Sequence, residues 1–253
     1  MDLFDLTGRL ALVTGSSKGI GFALAQALAS AGATLVLNAR DPAKLEEARA
    51  DLAARGATVH ATAFDVTDPQ AVTDGIAEIE SSIGAIDILV NNAGMQHRAP
   101  LQDFPLDAWK RLISTNVDSV FLVGQAVGRR MIERGRGKII NVCSVQSELA
   151  RPGIAPYTAT KGAIKMLTKG MATDWGRFGV QVNGLGPGYF KTELTKALVE
   201  DEKFTGWLAN RTPAGRWGDV KELAGAAIFL ASEASSFVNG HILYVDGGIT
   251  ASL

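Results

Sequence analysis

The sequence predicts an α/β fold: a three-layer, Rossmann-type doubly wound parallel sheet of seven strands with helices on both faces. Three observations carry this reading. Short apolar runs alternate with longer segments of helical periodicity along the 253 residues. The apolar runs lack strict in–out alternation, as strands covered on both faces do. A Gly-rich turn joins the first run directly to the first helical segment, an arrangement that binds a nucleotide in such folds.

The strands are expected at Leu10 to Val13, Leu35 to Leu37, Val59 to Phe64, Ile86 to Val90, Ile139 to Cys143, Val180 to Leu185 and Ile242 to Val245. A helix over Phe22 to Ser30 follows the first. Asp41-Pro42 and Asp68-Pro69 each set a capping carboxylate before a proline at the first helical position, which starts two more. Segments 107–133 and 156–176 read as long apolar helices. No low-complexity linker interrupts the chain, so residues 1–253 are expected to form one domain. The stretch 186–217 is irregular, and a loop of that length in a compact domain is usually functional. It is expected to be a mobile flap over the substrate with a short helix inside it.

A hydrophobic fraction of 47% suffices for a sizeable core, and a net charge of −1 gives no basic bias toward nucleic acid or anionic lipid. The densest positive run is Arg129, Arg130, Arg134, Arg136 and Lys138, expected to be a solvated helix end and turn. The one cysteine, Cys143, sits in an apolar run and is expected to be a buried strand thiol. A single thiol and the lack of a basic, then apolar leader favour a cytoplasmic setting. No apolar stretch approaches the ~18 residues that span a bilayer. His60, His97 and His241 show no ligand spacing, so no catalytic metal is expected.

The turn reads Thr14-Gly15-Ser16-Ser17-Lys18-Gly19-Ile20-Gly21. Gly15 permits the tight turn, Gly19 lets the backbone approach a pyrophosphate, and Gly21 lets helix and strand pack closely. The helix that follows offers free N–H groups to phosphate. At the end of the second strand, where an acid binds the ribose hydroxyls of NAD, the sequence has Ala39 followed by Arg40. With Lys18 in the turn, two cations stand where a 2′-phosphate would lie, so the expected cofactor is NADP(H).

The spacing of those glycines after Thr14 resembles the short-chain dehydrogenase/reductase family, and the resemblance runs along the whole chain. It implies that Asp65 and Val66 contact adenine, that Asn92, Ala93 and Gly94 of the Asn91-Asn92-Ala93-Gly94 signature steady the sheet and approach the ribose, and that Pro187, Gly188 and Thr192 hold the carboxamide. Ser17 and Ile20 complete the implied cofactor set. Gly186 stands where the family more often has Ala.

Tyr157 and Lys161 are four residues apart, on one face of a helix. Ser144 precedes Tyr157 by thirteen residues, and Asn116 lies in the preceding helical segment. The order and spacing resemble the family's Asn-Ser-Tyr-Lys tetrad. A free tyrosine, with a pKa near 10, is a weak base at neutral pH. A neighbouring ammonium and an oxidised nicotinamide favour its charged form. Tyr157 is therefore the expected acid/base and Lys161 its partner on the nicotinamide ribose. Ser144 is expected to bind the substrate oxygen. By resemblance, Asn116 holds a water linking Lys161 to solvent.

The stretches Gly135 to Tyr157, Gly170 to Arg177, Arg211 to Trp217 and Ser235 to Thr250 resemble more narrowly the family's sugar-acid members. The implied reaction interconverts D-gluconate and 5-keto-D-gluconate. Such a substrate needs hydrogen-bond partners and one cation. Ser144, Gln146, Glu148 and Tyr157 can supply the former, and Arg98, or else Arg151, the latter. Two rivals share parts of this sequence: a family reductase of 3-oxoacyl thioesters or another sugar acid, and a non-catalytic NADP(H)-binding regulator. Family members usually form homotetramers, for which segments 107–133 and 156–176 are suited.

Overall fold

The computed structural model describes residues 2–253. Its strands are β1 (Leu10–Thr14), β2 (Thr34–Asn38), β3 (Val59–Ala61), β4 (Ile88–Asn91), β5 (Gly137–Val142), β6 (Val180–Pro187) and β7 (Ile242–Val245). All pairings are parallel, in the order β3-β2-β1-β4-β5-β6-β7. The chain runs outward from β1 to β3, then returns to place β4 on the other side of β1. Val13 accordingly faces Leu37 on one side and Val90 on the other. At such a reversal the connections diverge and leave a crevice beyond the strand C-termini.

The helices are α1 (Gly19–Ser30), α2 (Pro42–Ala54), α3 (Pro69–Ser82), α4 (Leu106–Ile113), α5 (Ser119–Arg134), α6 (Ala155–Trp175), α7 (Lys196–Val199), α8 (Glu202–Arg211) and α9 (Ala224–Ala231). Every residue of β1 is buried, yet successive ones serve opposite faces. Ala11 and Val13 join α1, α2 and α9 through Leu24, Leu28, Leu45, Leu52 and Leu230. Leu10 and Leu12 join α3, α5 and α6 through Val72, Ile76, Val123, Val127 and Met171. Two cores flank the sheet, which is why its strands read as continuous apolar runs rather than alternating ones. Among the described residues, no helix is long and apolar enough to cross a membrane.

Several boundaries differ from those expected. β3 stops at Ala61, and Phe64 leaves the strand line to pack where Gly75 provides room: a Cβ there would sit 2.6 Å from the Phe64 ring. β4 starts at Ile88, although the Asp87 backbone still bonds Leu10 and Lys138 on either side, and its carboxylate accepts from the Leu10 amide at 3.2 Å. β5 begins at Gly137 and ends at Val142, although the buried Cys143 still donates its amide to Leu185 at 2.7 Å. Segment 107–133 is helical throughout, but not uniformly α-helical. A π-helical turn at Ser114–Asp118 separates α4 from α5. The stretch 186–217 is more ordered than expected: Gly186 and Pro187 close β6, and α7 and α8 occupy much of the remainder.

The basic run near 134 is not simply a solvated helix end. Arg134 donates to Glu80 at 2.9 Å and to the Ile86 carbonyl at 2.8 Å, and Arg136 pairs with Asp87 at 3.3 Å. Lys138 is buried, and that burial pushes its pKa down. These cations seal the lower end of the sheet, opposite the crevice.

Candidate active site

The tips of β1, β4, β5 and β6 open into one cleft of about 810 Å³. Apart from Glu148, every residue expected to contact cofactor or substrate lines it, and Asn116, expected to hold a water, lies outside it. Glu148, expected to offer a polar group there, does not line it. Its carboxylate instead takes hydrogen bonds from Lys165 and, at 3.0 Å, from Tyr244.

At one end lies the Gly-rich turn. Gly15 and Gly19 both have φ of +61°, a conformation that favours glycine. A Cβ on Gly15 would lie 2.8 Å from the Ala93 Cα, whereas one on Gly19 would meet nothing within 4 Å. The open side of the turn is thus at Gly19. Gly21 is the packing position, since a Cβ there would fall 2.3 Å from Asn92 Nδ2. The Asn92 amide in turn donates to the carbonyls of Thr14 and Gly15, at 2.9 and 3.0 Å, which fixes the β4 tip to the turn. Ser16, absent from the expected set, is fully buried. It donates to Val13 O at 2.8 Å and accepts from the Asn38 amide at 3.0 Å, tying the turn to β2. A serine inside a Gly-rich turn carries no sequence signal for such a tie.

The three helices that follow β1, β2 and β3 start differently. Asp41 and Asp68 cap α2 and α3, each accepting from two amides. α1 follows Lys18, whose side chain makes no cap bond. Its leading amides therefore face the cleft without a side-chain partner, suited to phosphate. Both flanking cations are present. Arg40 is exposed, 3.8 Å from Asp65, and Lys18 Nζ lies 2.8 Å from Glu193 of the covering segment. Asp65 also accepts from the Thr67 amide and hydroxyl, at 2.9 and 2.8 Å, and so shapes the wall beside β3. These features fit a dinucleotide bearing a 2′-phosphate.

In the middle of the cleft, α6 brings Tyr157 and Lys161 to one face. Lys161 is buried, donates to the Val142 carbonyl at 2.7 Å, and lies 5.7 Å from the Tyr157 ring centre. Ser144 has extended backbone just past β5, and its Oγ accepts from the Gln146 amide at 3.1 Å. That leaves the hydroxyl proton free to be donated. Asn116 sits behind the cleft in the π-helical turn, 1% exposed. Its side chain accepts from the Met95 amide at 2.8 Å and donates to Met95 O and Thr160 Oγ1, at 3.0 and 3.1 Å. The side-chain amide is therefore occupied in tying the loop after β4 to α6, and makes no hydrogen bond to Lys161. Cys143, beside Ser144, is no nucleophile here: burial pushes its thiol up to about 11.

The far end is polar and aromatic. Arg98, Gln146, Arg151 and Tyr189 converge there. The Tyr189 hydroxyl accepts from Arg151 Nε at 3.1 Å and from Gln146 Nε2 at 3.3 Å. Burial raises the Tyr189 pKa, so this hydroxyl keeps its proton. Tyr189 was not expected. The available hint was an aromatic directly after Pro187-Gly188, at the start of the one long irregular stretch. Thr192 opens a 3₁₀ turn there, its amide donating to Thr195 Oγ1 at 2.9 Å.

A family model described as enoyl-(acyl carrier protein) reductase matches residues 15–250. The gluconate 5-dehydrogenase of Gluconobacter oxydans (strain 621H) is 65% identical over 252 residues, covering 100% of this chain and 98% of that protein. The 5-keto-D-gluconate 5-reductase of Escherichia coli (strain K12) is 53% identical over 252 residues, with 100% and 99% covered. Among solved structures, a gluconate 5-dehydrogenase from Burkholderia cenocepacia J2315, in complex with NADP and tartrate, is 59% identical. It superposes with a TM-score of 0.98, covering 100% of this chain and 99% of that one.

Proposed function

The chain belongs to the short-chain dehydrogenase/reductase family, and on that premise we propose that it is an NADP(H)-dependent gluconate 5-dehydrogenase, interconverting D-gluconate and 5-keto-D-gluconate. The observation that carries the chemistry is the buried Lys161 ammonium 5.7 Å from the Tyr157 ring at the centre of the cleft. The substrate reading is supported by relatives of that activity at 65% and 53% identity over their full length. A far end lined by two arginines and a glutamine suits a polyol acid better than the alkyl chain of an acyl thioester.

When bound, the dinucleotide accepts or supplies the hydride. Arg40 and Lys18 would hold the 2′-phosphate, the amides at Gly19 and Ile20 with Ser17 and Gly21 alongside would hold the pyrophosphate, and Asp65 and Val66 would hold the adenine. Asn92, Ala93, Gly94, Pro187, Gly188 and Thr192 line the remaining length toward the nicotinamide. In oxidation, Ser144 donates a hydrogen bond to the C5 oxygen, keeping its own proton, and so fixes that carbon. Tyr157 takes the alcohol proton as the carbonyl forms, and returns a proton to that oxygen in reduction. The negative oxygen of Tyr157 is stabilised by the charge on Lys161, which the Val142 carbonyl holds in place. Arg98 receives the substrate carboxylate, and Gln146 lines the path of the hydroxyls.

We read the chain as one domain, in which segment 186–217 covers the substrate. Exposed Leu106 and Trp109 of α4, Phe121 of α5 and Met166 of α6 supply an apolar surface for a homotetramer, checked by the sedimentation mass. A reducing, cytoplasmic setting suits the single buried thiol.

The test is a substrate panel with NADPH and NADH. Reduction of 5-keto-D-gluconate with NADPH, far faster than that of a 3-oxoacyl thioester, is expected. The reverse order of substrates would overturn the assignment.

A further inference from the structure

Two guanidinium groups meet at the cleft mouth from different connections. Arg98 lies on the loop after β4, and Arg151 on the loop leading to α6. Burial and the neighbouring charge of Arg151 both lower the Arg98 pKa. Their hydrogen-bond partners are all neutral: Gln96 Oε1 at 3.4 Å for Arg98, and Tyr189 Oη at 3.1 Å and Pro152 O at 3.4 Å for Arg151. Like charges drawn together in a partly dry cleft are costly unless an anion joins them.

Of the two, Arg151 is held firmly, and the grip comes from the covering segment. Its Nε donates to Tyr189 Oη, and its guanidinium lies 5.3 Å over the Phe204 ring of α8. Tyr189 is itself fixed. Gln146 Nε2 donates to its hydroxyl at 3.3 Å, while Phe204, Trp207 and Trp217 surround its ring with centroids 5.6, 6.2 and 5.9 Å away. With Nε on Tyr189 and Nη1 on the Pro152 carbonyl, the guanidinium plane is fixed and Nη2 has no hydrogen-bond partner among the described residues, so it is left to meet a carboxylate.

We infer that Tyr189 is a positioning residue for acid recognition: it holds Arg151 so that Arg151 and Arg98 together clamp the substrate carboxylate, and the enzyme thereby chooses a sugar acid over the corresponding neutral polyol. This rests on the sugar-acid reading above and adds the device that enforces it. The device also joins recognition to coverage, because Phe204 and Trp207 belong to α8. An acid bound between the two arginines favours the docked position of that helix.

The test uses the NADPH-loaded enzyme, in which D-gluconate forms a ternary complex that cannot turn over. Calorimetry measures its dissociation constant beside that of D-glucitol, which carries a hydroxymethyl group in place of the carboxylate. The variants are Tyr189→Phe, which keeps the ring in its aromatic surroundings, and Arg151→Lys, which keeps the charge but loses the fork. Each is expected to weaken D-gluconate about tenfold, the scale of one hydrogen bond to a charged group. Binding of D-glucitol and of NADPH stays at the wild-type level. Equal loss for acid and alcohol, no loss for either, or a wild-type enzyme that binds both alike would each overturn the inference. Should the wild type prefer D-gluconate in this way yet fail to oxidise it with NADP⁺, the proposed reaction falls and the acid clamp stands.

Discussion

Tyr157, Lys161 and Ser144 were legible in the sequence because their spacing is set by one helix and one strand tip, and the structure brings all three to the same cleft. The roles assigned to the glycines were legible for a similar reason, since turn geometry is local. Ser16, Tyr189 and the occupied amide of Asn116 were not. Each draws its role from a partner far along the chain: Asn38, Arg151 and Thr160 respectively. No local pattern records such a contact. At this scale, Tyr157→Phe is expected to lower kcat by about 10²–10⁴-fold, the range of general acid–base catalysis. NADPH affinity should stay within about twofold of wild type, because the ring that lines the cleft remains. Stopped-flow turnover together with NADPH titration checks both, and a variant retaining most of its turnover would remove Tyr157 from the chemistry.

Among the elements, those announced by a cap or by a run of buried apolar residues were found where expected, as with α2 and α3 behind Asp41-Pro42 and Asp68-Pro69. The π-helical turn at 114–118 was hidden. No Gly or Pro stands in Ser114–Asp118 to announce it, and side-chain type alone does not record an i to i+5 bond. Within 186–217 one short helix was expected without bounds, and the structure gives two, α7 and α8. The turn after α8 carries its own acid-sensitive tie. Arg216, hydrogen-bonded to Glu222 at 2.8 and 2.7 Å, and then the Asp219 amide hold the Glu222 carboxyl down at about 2, from an ordinary 4.5. A folded-state value below the unfolded one gives stability that is present above about pH 4.5 and lost as pH falls toward 2. Glu222→Gln is therefore expected to flatten the dependence of the urea midpoint on pH across that window. A slope identical to wild type would show that the exposed pair contributes nothing.

For the molecule as a whole, the alternation of strands and helices announced a parallel sheet, and the switch between β1 and β4 then fixes where a dinucleotide lies. The strand order itself came only with the structure, since apolar runs carry no record of their neighbours. The long cleft joins parts of the chain from Gly15 to Leu198, so a bound cofactor should raise the stability of the whole. NADPH at about 100 times its dissociation constant adds about 2.7 kcal/mol, roughly 5–10 °C in Tm for a chain of this size. Arg40→Ala should weaken NADPH about tenfold or more, and so reduce its upward shift in Tm at the same concentration, while NADH is affected little. Thermal melts with each cofactor read this directly, and equal losses for both would place Arg40 away from the 2′-phosphate.

The sheet order has a consequence for biosynthesis. The walls that meet around the nicotinamide end come from residues as far apart as Gly94, Ser144 and Gly188, and β6 can join the sheet only through β5. A growing chain that has emerged only through β4 already possesses the Gly-rich turn, yet it has neither Tyr157 nor Gly188, which line the other half of the cleft. High-affinity capture of NADP(H) therefore reports that the late strands have docked, and the dinucleotide stabilises finished molecules in preference to nascent ones.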